Sequence, residues 1–353
     1  MNKTVVTVTG IRPDFIRMSE IFKVLDQNFD HVLVHTGQHY DKLLSDVFFK
    51  ELEIRKPDFN LNVGGAGKEH FHQTGELSTE LIELFRSFPS RPDLIIFLGD
   101  SNSVVSAVAL KKEGYKIAHI EAGMRSGDKR MLEEINRTVC DHCSDYHFVY
   151  HETYKKNLIK ENLPKENIFV VGNTIVEVCR QSSIEGVKSH NHILLDIHRP
   201  ENFNYQGRLK SILDYANECA NQYGVPVKML KFGRTMSRIE GALDMGKIQP
   251  VELMSYKEFL TAQYDSLFII SDSGTAQEEP ALLRTPVIVP RDYTERPQSV
   301  SAGCSFMIDV NTVNESWENS HEWLSSGPEM NCGWLGEGLT SQKINNHLKE
   351  ILI

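Results

Sequence analysis

Seven polar clusters in this chain each follow a short apolar run. They are Gly10-Ile11-Arg12-Pro13-Asp14-Phe15-Ile16-Arg17, His35-Thr36-Gly37-Gln38-His39-Tyr40 and Gly99-Asp100-Ser101-Asn102-Ser103, then Glu121-Ala122-Gly123-Met124-Arg125 with Glu133-Glu134-Ile135-Asn136-Arg137 behind it. The last three are His198-Arg199-Pro200-Glu201-Asn202, Asp272-Ser273-Gly274-Thr275-Ala276-Gln277-Glu278-Glu279 and Arg291-Asp292-Tyr293-Thr294-Glu295-Arg296-Pro297. Asp100, Glu121, Glu133 and His198 are residue types that move protons. Arg12 and Arg296 can give fork-shaped, charge-assisted bonds to diphosphate oxygens. Ser273-Gly274, ahead of a helix expected to begin near Ala276, offers close backbone approach and helix-start N–H groups to an anion. Each feature also has a plainer reading. A loop arginine can be a solvated or salt-bridged surface group, and Glu133-Glu134 can be charges favoured by a helix start. Glu278-Glu279 can cap a helix or hold a sugar diol. Together the clusters point to a cleft that handles a charged ligand.

The elements that must position these residues alternate almost from end to end. Thr4–Thr9 reads as a strand and residues 13–27 as a helix with proline in its first turn. Strands follow at 31–35, 94–98, 117–120, 147–150 and 168–171, with helices at 101–112, 133–143 and 154–161. Leu94–Leu98 is wholly apolar, as in a parallel strand covered on both faces. After a polar stretch at 181–191 the pattern restarts, with strands at 192–197, 227–230, 267–271 and 286–290. Its helices are 208–222, 256–263 and 276–283, and a last helix covers 341–353. Two successive β-α-β series predict an α/β fold with two doubly wound parallel sheets. Such folds bind ligands outside the carboxyl ends of the strands and, with two domains, in the cleft between them. Asp100 and Glu121 end two strands of one sheet, so both should point into one cleft. His198 follows an apolar strand and precedes an Arg-Pro turn.

A length of 353 residues suggests two domains, with 40% hydrophobic and 24% charged residues. Acidic residues outnumber basic ones 48 to 38, giving a net charge of -10, which argues against a nucleic-acid binder relying on overall basic charge. No apolar stretch approaches the ~18 residues of a membrane span, and a signal peptide would need a longer apolar block. Six cysteines without dense spacing fit reduced thiols in cytoplasm.

Several lookalikes are set aside. Asn62-Val63-Gly64-Gly65-Ala66-Gly67-Lys68 is followed by Glu69 where a phosphate loop needs Ser or Thr for magnesium. Gly10 stands without the further glycines of a dinucleotide fingerprint. Cys140-Asp141-His142-Cys143 lacks a second ligand pair and falls within a helical pattern, which favours buried thiols over a metal. The helix read over 43–51, with Val47, Phe48 and Phe49, is core packing.

These motifs resemble those of the non-hydrolysing UDP-N-acetylglucosamine 2-epimerases and related UDP-2-acetamido-sugar epimerases. The resemblance runs from residue 4 to about 300 and rests on the clusters at 10–14, 35–39, 99–103, 119–125, 133–137, 198–202, 272–274, 277–279 and 294–297, with Gly-Asn-Thr at 172–174. It implies two Rossmann-like domains, 1–174 and 175–340, in a glycosyltransferase-B-like arrangement with an inter-domain cleft. The second domain would bind UDP, helix 341–353 would pack back on the first, and the chain would form a homodimer. The implied reaction eliminates UDP across C1–C2 of the sugar to a 2-acetamidoglycal and adds it back with inverted configuration at C2, needing no cofactor and no metal. By motif, Asp100, Glu121, Glu133 and His198 fall at catalytic positions, and Arg12, Arg17, Ser273, Gly274, Glu279 and Arg296 at UDP- or substrate-binding ones. The partners implied are a UDP-2-acetamido sugar and UDP, with no nucleic acid or membrane. The alternatives are a hydrolysing relative that releases the free 2-epimer and UDP, and a UDP-sugar-binding relative without catalysis.

The chain also departs from the family pattern. Thr275 replaces the second glycine after Asp272-Ser273-Gly274, and Gln298 replaces a glutamate after Thr294-Glu295-Arg296-Pro297. Phe232-Gly233-Arg234-Thr235 stands where members carry His-Pro, a region some use for an activating second UDP-sugar. Asp100-Ser101-Asn102-Ser103 and Arg234-Thr235 look more like branches acting on 6-deoxy or 2,3-diacetamido sugars.

Overall fold

The computed structural model describes residues 3–37, 46–64, 70–184, 186–311 and 315–352. Residues 38–40 of the second polar cluster, 43–45 of the helix read over 43–51, and 65–69 of the glycine-rich stretch lie outside the described residues. The chain divides into two units, Met1–Val178 with Leu335–Ile353, and Cys179–Trp334.

The first unit runs β1 (Thr4–Thr9), α1 (Arg12–Asn28), β2 (Asp30–His35), α2 (Asp46–Glu51), β3 (Phe59–Asn60), α3 (His70–Arg86) and β4 (Leu94–Leu98). It continues with α4 (Ala107–Lys112), β5 (Ile117–Ile120), α5 (Leu132–Cys143), β6 (Tyr146–Val149), α6 (Glu152–Lys160), β7 (Ile168–Val170) and α7 (Ile175–Gln181), which spans the boundary. Its seven described strands are parallel in the order β3-β2-β1-β4-β5-β6-β7, so the direction of winding reverses between β1 and β4. Val6 and Val8 of β1 meet Ile95 and Phe97 of β4 in one apolar cluster with Leu77, Leu81 and Phe85 of α3. All five residues of β4 are buried, as expected of a strand covered on both faces.

The second unit runs β8 (His192–Asp196), α8 (Pro200–Phe203), α9 (Gln206–Tyr223), β9 (Val227–Leu230), α10 (Gly233–Ile239), β10 (Ile248–Val251) and α11 (Tyr256–Asp265). Then come β11 (Ser266–Ser271), α12 (Glu279–Leu283), β12 (Val287–Val289), α13 (Pro297–Ser301), β13 (Ser305–Met307) and α14 (Glu315–Ser325). Its six described strands, also parallel, take the order β10-β9-β8-β11-β12-β13, reversing between β8 and β11. Both units are thus doubly wound α/β sheets, as the alternation of strands and helices predicts. The last helix, α15 (Thr340–Leu352), belongs to the first unit and packs on α1. The Thr340 hydroxyl ties its start to the Val171 and Asn173 carbonyls, each at 3.2 Å.

Two expected helices differ. The stretch 101–112 opens as a 3-10 turn over Asn102–Ser106 before α4, because Ser101, Asn102 and Ser103 disfavour helix interiors. The stretch 276–283 is broken into a 3-10 turn, Thr275–Gln277, and the five residues of α12. Pro280 has no N–H to give and fits only a first turn, so the helix restarts at Glu279. Helix α3 escaped the sequence pattern: Gly75, Ser78 and Thr79 weaken its propensity, and the buried stripe of Leu77, Leu81 and Phe85 outweighs them. Among the described residues no helix is long and apolar enough to cross a membrane.

Because Leu348 of α15 is fully buried, Leu348→Ala should cost about 2–5 kcal/mol, read as a lowered urea midpoint. An unchanged midpoint would mean that α15 is dispensable to the first unit.

Candidate active site

In the first unit the polar clusters after β1, β4 and β5 meet at the reversal of strand order. Arg17, on α1, forms an ion pair with Glu121, which follows β5, and both are buried. The Arg17 guanidinium lies 5.5 Å from the centre of the Tyr150 ring and donates to its hydroxyl at 3.4 Å, and that hydroxyl meets Thr174 at 2.9 Å. Glu121 Oε2 sits 3.9 Å from where a β-carbon on Gly99 would lie, so its carboxylate stands beside the turn that carries Asp100. Asp100 forms an ion pair with the buried Arg137 of α5. Asn136, from the same helix, donates to the Asp100 carbonyl at 2.9 Å and to Asn102 at 3.2 Å. Arg12 lies over the Phe48 ring at 5.1 Å.

Of the two glutamates that open α5, Glu134 is the buried one. It accepts the Ser126 N–H at 3.0 Å and the Gly127 N–H at 3.1 Å, and pairs with Arg137 at 3.3 Å. Glu133 is half-buried in the same turn. Arg137 therefore holds Glu134 and Asp100 at once, which fixes α5 against the Asp100 turn.

In the second unit His198, Ser273, Gly274 and Arg296 gather where β8 and β11 diverge. His198 Nδ1 lies 2.9 Å from Asp196, the last residue of β8, and 3.7 Å from Asp272. Burial opposes charge on this ring, yet Asp196 and Asp272 raise its pKa above the ordinary imidazole value. Asp272 also accepts the backbone N–H groups of His198 at 3.0 Å and Arg199 at 3.1 Å, and the Asn202 amide at 3.0 Å. Arg296 is held at Nε by Glu278 at 2.6 Å and at Nη1 by Glu295 at 2.8 Å. Gly274 has ordinary right-handed helical angles, so its backbone does not require glycine. A β-carbon there would lie 2.8 Å from the Arg296 guanidinium carbon and 2.8 Å from Glu295, so any other residue would have to displace this ion pair. Glu279 is buried against α11, where Gln263 donates to it at 2.9 Å.

Each unit therefore presents a charged constellation at its topological switch point, the place where open α/β sheets hold ligands. A sequence model of the family described as UDP-N-acetylglucosamine 2-epimerase matches residues 23–349. The chain belongs to this epimerase family. It is 35% identical over 325 residues to a UDP-N-acetylglucosamine 2-epimerase of Methanocaldococcus jannaschii, covering 86% of this chain and 88% of that one. It is also 32% identical over 315 residues to a UDP-2,3-diacetamido-2,3-dideoxy-D-glucuronate 2-epimerase of Pseudomonas aeruginosa, with coverage of 86% and 88%. The crystal structure of the Methanocaldococcus jannaschii UDP-GlcNAc 2-epimerase in complex with UDP-GlcNAc and UDP matches with a TM-score of 0.87 at 32% identity, over 98% of this chain and 99% of that one. Membership makes the protein an isomerase acting on carbohydrates.

Several particulars of this epimerase add to the sequence reading. After β11 the Ser273 N–H goes to the Ser271 hydroxyl, and the 3-10 turn that follows closes on itself, Gln277 N–H to the Gly274 carbonyl and Glu278 N–H to the Thr275 carbonyl. The strand before His198 is not wholly apolar, since it ends on buried Asp196, visible in the sequence as the acid in His192-Ile193-Leu194-Leu195-Asp196. Thr235, read as a mark of substrate branch, is buried and donates to the Ile197 carbonyl at 2.7 Å, bracing the residue before His198. Cys140 and Cys143 are free thiols on α5, and Asp141 between them turns inward.

Asp14 also went unassigned. It is buried at the third position of α1, where its carboxylate accepts the N–H groups of Gly10 at 2.7 Å and Ile11 at 3.1 Å and so pins the loop that carries Arg12. Burial raises its pKa from 3.8 to about 7, against the pull of those two N–H groups. A carboxyl with a higher pKa folded than unfolded binds its proton more tightly in the native state, so its contribution is lost as pH rises from 3.8 through about 7. Asp14→Asn imitates the protonated acid and escapes this loss. Urea denaturation should find the variant level with its parent near pH 4 and on the order of 2–4 kcal/mol more stable at pH 8. A gap that does not change with pH would contradict the assignment.

Proposed function

We propose that this epimerase reversibly inverts C2 of a UDP-2-acetamido sugar by eliminating UDP to a 2-acetamidoglycal and adding it back. The observation that carries the reading is the placing of Glu121 beside the Asp100 turn, each carboxylate on a buried arginine. The C2 proton is weakly acidic, so the C1–oxygen bond must first stretch and give C1 oxocarbenium character, which nearby carboxylates stabilise. The electron pair of that bond leaves on UDP, the C2–H pair becomes the C1–C2 double bond, and a carboxylate takes the proton. Return delivers a proton to the other face of C2, so more than one acid–base group is needed, and Asp100, Glu121 and Glu133 fill that need. His198, whose pKa is raised by its two aspartates, offers positive charge to the departing diphosphate. Ser273, Gly274, Glu279 and Arg296 hold the nucleotide, Arg12 adds a phosphate contact, and Arg17 acts through Glu121.

Relatives whose names specify UDP-N-acetylglucosamine and a UDP-2,3-diacetamido glucuronate share a UDP leaving group and a 2-acetamido carbon, which supports that substrate class. Proton NMR in deuterium oxide with a panel of UDP-2-acetamido sugars tests the reading. An intact nucleotide sugar carrying deuterium at C2 supports it. A free 2-epimer with UDP means the hydrolysing reaction, and UDP binding without turnover of any donor means a binding protein.

Asp100→Asn and Glu121→Gln should each lower turnover about a hundredfold or more, with UDP affinity by calorimetry within about twofold of the parent. Arg296→Lys keeps the charge that Glu278 and Glu295 require but loses the fork, and should weaken UDP binding about tenfold. Wild-type turnover in the carboxylate variants would contradict their assignment.

A further inference from the structure

His119 and Asp141 are fully buried in the first unit, and neither takes part in the reaction above. His119 lies in β5, two residues before Glu121. Its Nε2 is 2.8 Å from the Gly99 carbonyl and its Nδ1 is 2.7 Å from Asp141 Oδ1. The other Asp141 oxygen receives the Gly123 N–H at 3.1 Å and the Arg125 guanidinium at 2.8 Å. Burial opposes ionisation of Asp141, yet His119 and Arg125 bring its pKa down to about 2. A carbonyl and a carboxylate both only accept hydrogen bonds, so both nitrogens of His119 carry protons and the ring is cationic. Burial opposes that charge, but Cys140 and Asp141 of α5 hold its pKa well above the ordinary imidazole value. From β6, His147 donates to the Asp141 carbonyl at 2.8 Å, and burial lowers its own pKa. Behind Asp141, Arg125 pairs with Glu161, the residue after α6, at 2.7 Å. The charges therefore balance around His119.

The two ends of this brace are informative. Gly99 precedes Asp100 with φ +74°, and Gly123 follows Glu121 by two residues with φ +77°. Glu121 itself has φ +71°, a left-handed conformation that a residue with a β-carbon keeps only when its surroundings impose it. A β-carbon on Gly123 would lie 2.5 Å from the Tyr154 carbonyl, so only glycine fits at this position of the turn. We propose that His119 and Asp141 form a positioning pair, a charged brace that fixes the Asp100 turn through the Gly99 carbonyl and the Glu121 turn through the Gly123 amide, thereby setting the spacing of the two carboxylates. A neutral His119 has one N–H and could hold only one of the two ends. A pair needed only for stability would leave turnover per folded molecule unchanged when replaced.

The proposal rests on the epimerase reading of Asp100 and Glu121, and its test keeps the two apart. Histidine-selective nitrogen-15 NMR of the full chain should show the His119 ring still doubly protonated well above the pH at which an ordinary imidazole loses its proton, and Asp141→Asn should lower that titration. With UDP-sugar, Asp141→Asn and His119→Leu should lower kcat on the order of a hundredfold, with KM and UDP affinity within about twofold. His119→Gln, whose amide can still donate to Gly99, should recover about tenfold of that loss. If His119→Leu fails to fold, the shape-conserving Asp141→Asn decides alone. A wild-type His119 that titrates near the ordinary imidazole value overturns the proposal, and so does a folded Asp141→Asn with the parent's kcat. If the wild-type protein turns over no UDP-sugar, the epimerase reading fails instead. The backbone amide signals of Asp100 and Glu121 then decide: they shift in Asp141→Asn if the pair sets both turns, and an unshifted pair overturns the proposal.

Discussion

Parallel strands all present their carboxyl ends on one edge of a sheet. Where the strand order reverses, successive crossovers leave to opposite faces and open a crevice that no helix fills. This chain uses that constraint twice, between β1 and β4 and again between β8 and β11. Gly10 to Arg17 and Asp100 flank the first reversal, and His198 and Ser273 flank the second. Much of the surrounding structure keeps those ends from drifting. Thr235 braces Ile197, Asp272 gathers the amides of His198 and Arg199, and Asn136 holds the Asp100 carbonyl.

Crowding so many carboxylates near the strand ends would be prohibitive without cations, since an isolated buried charge is very costly. The structure pairs them locally. Arg17 meets Glu121, Arg137 meets Asp100 and Glu134, and His119 with Arg125 meets Asp141. Arg296 meets Glu278 and Glu295, while Arg291 meets Glu201 and Glu295. Pairs of this kind contribute little net stability compared with apolar packing, and their value here is geometric. A side chain held by two fixed partners has one orientation.

That distinction explains what could be read without coordinates. Strand β4 was legible to the residue because five consecutive apolar side chains leave little else to form, and the polar clusters marked the ends of strands correctly. Partners were not legible. Nothing in the run Glu133-Glu134 says which acid turns inward, because that depends on where Arg137 and the Ser126 and Gly127 amides lie in space. Asp14 reads as an ordinary helix-start acid until its burial is known, and Gly274 reads as a point of close backbone approach until Arg296 is seen filling the space beside it. The broken helix after Gly274 was legible in principle, since Pro280 cannot stand in a helix interior.

The pairing of Asp100 and Glu121 with buried arginines bears on the proposed chemistry. Enzymes that need one acid and one base place them in unlike environments, so that one group holds a proton while the other does not. On the proposed route an epimerisation at one carbon also needs one ionised and one protonated group in each turnover, but the two exchange roles when the direction reverses. The group that removes the proton in one direction must return it in the other, and its counterpart on the far face must do the same. Under the reading proposed above, two carboxylates that each pair with a buried guanidinium, Glu121 with Arg17 and Asp100 with Arg137, suit that exchange. On the same proposal the hydrogen bonds of His119 and Asp141 reach the Gly99 carbonyl and the Gly123 amide at once, so a displacement of the pair would disturb both turns together.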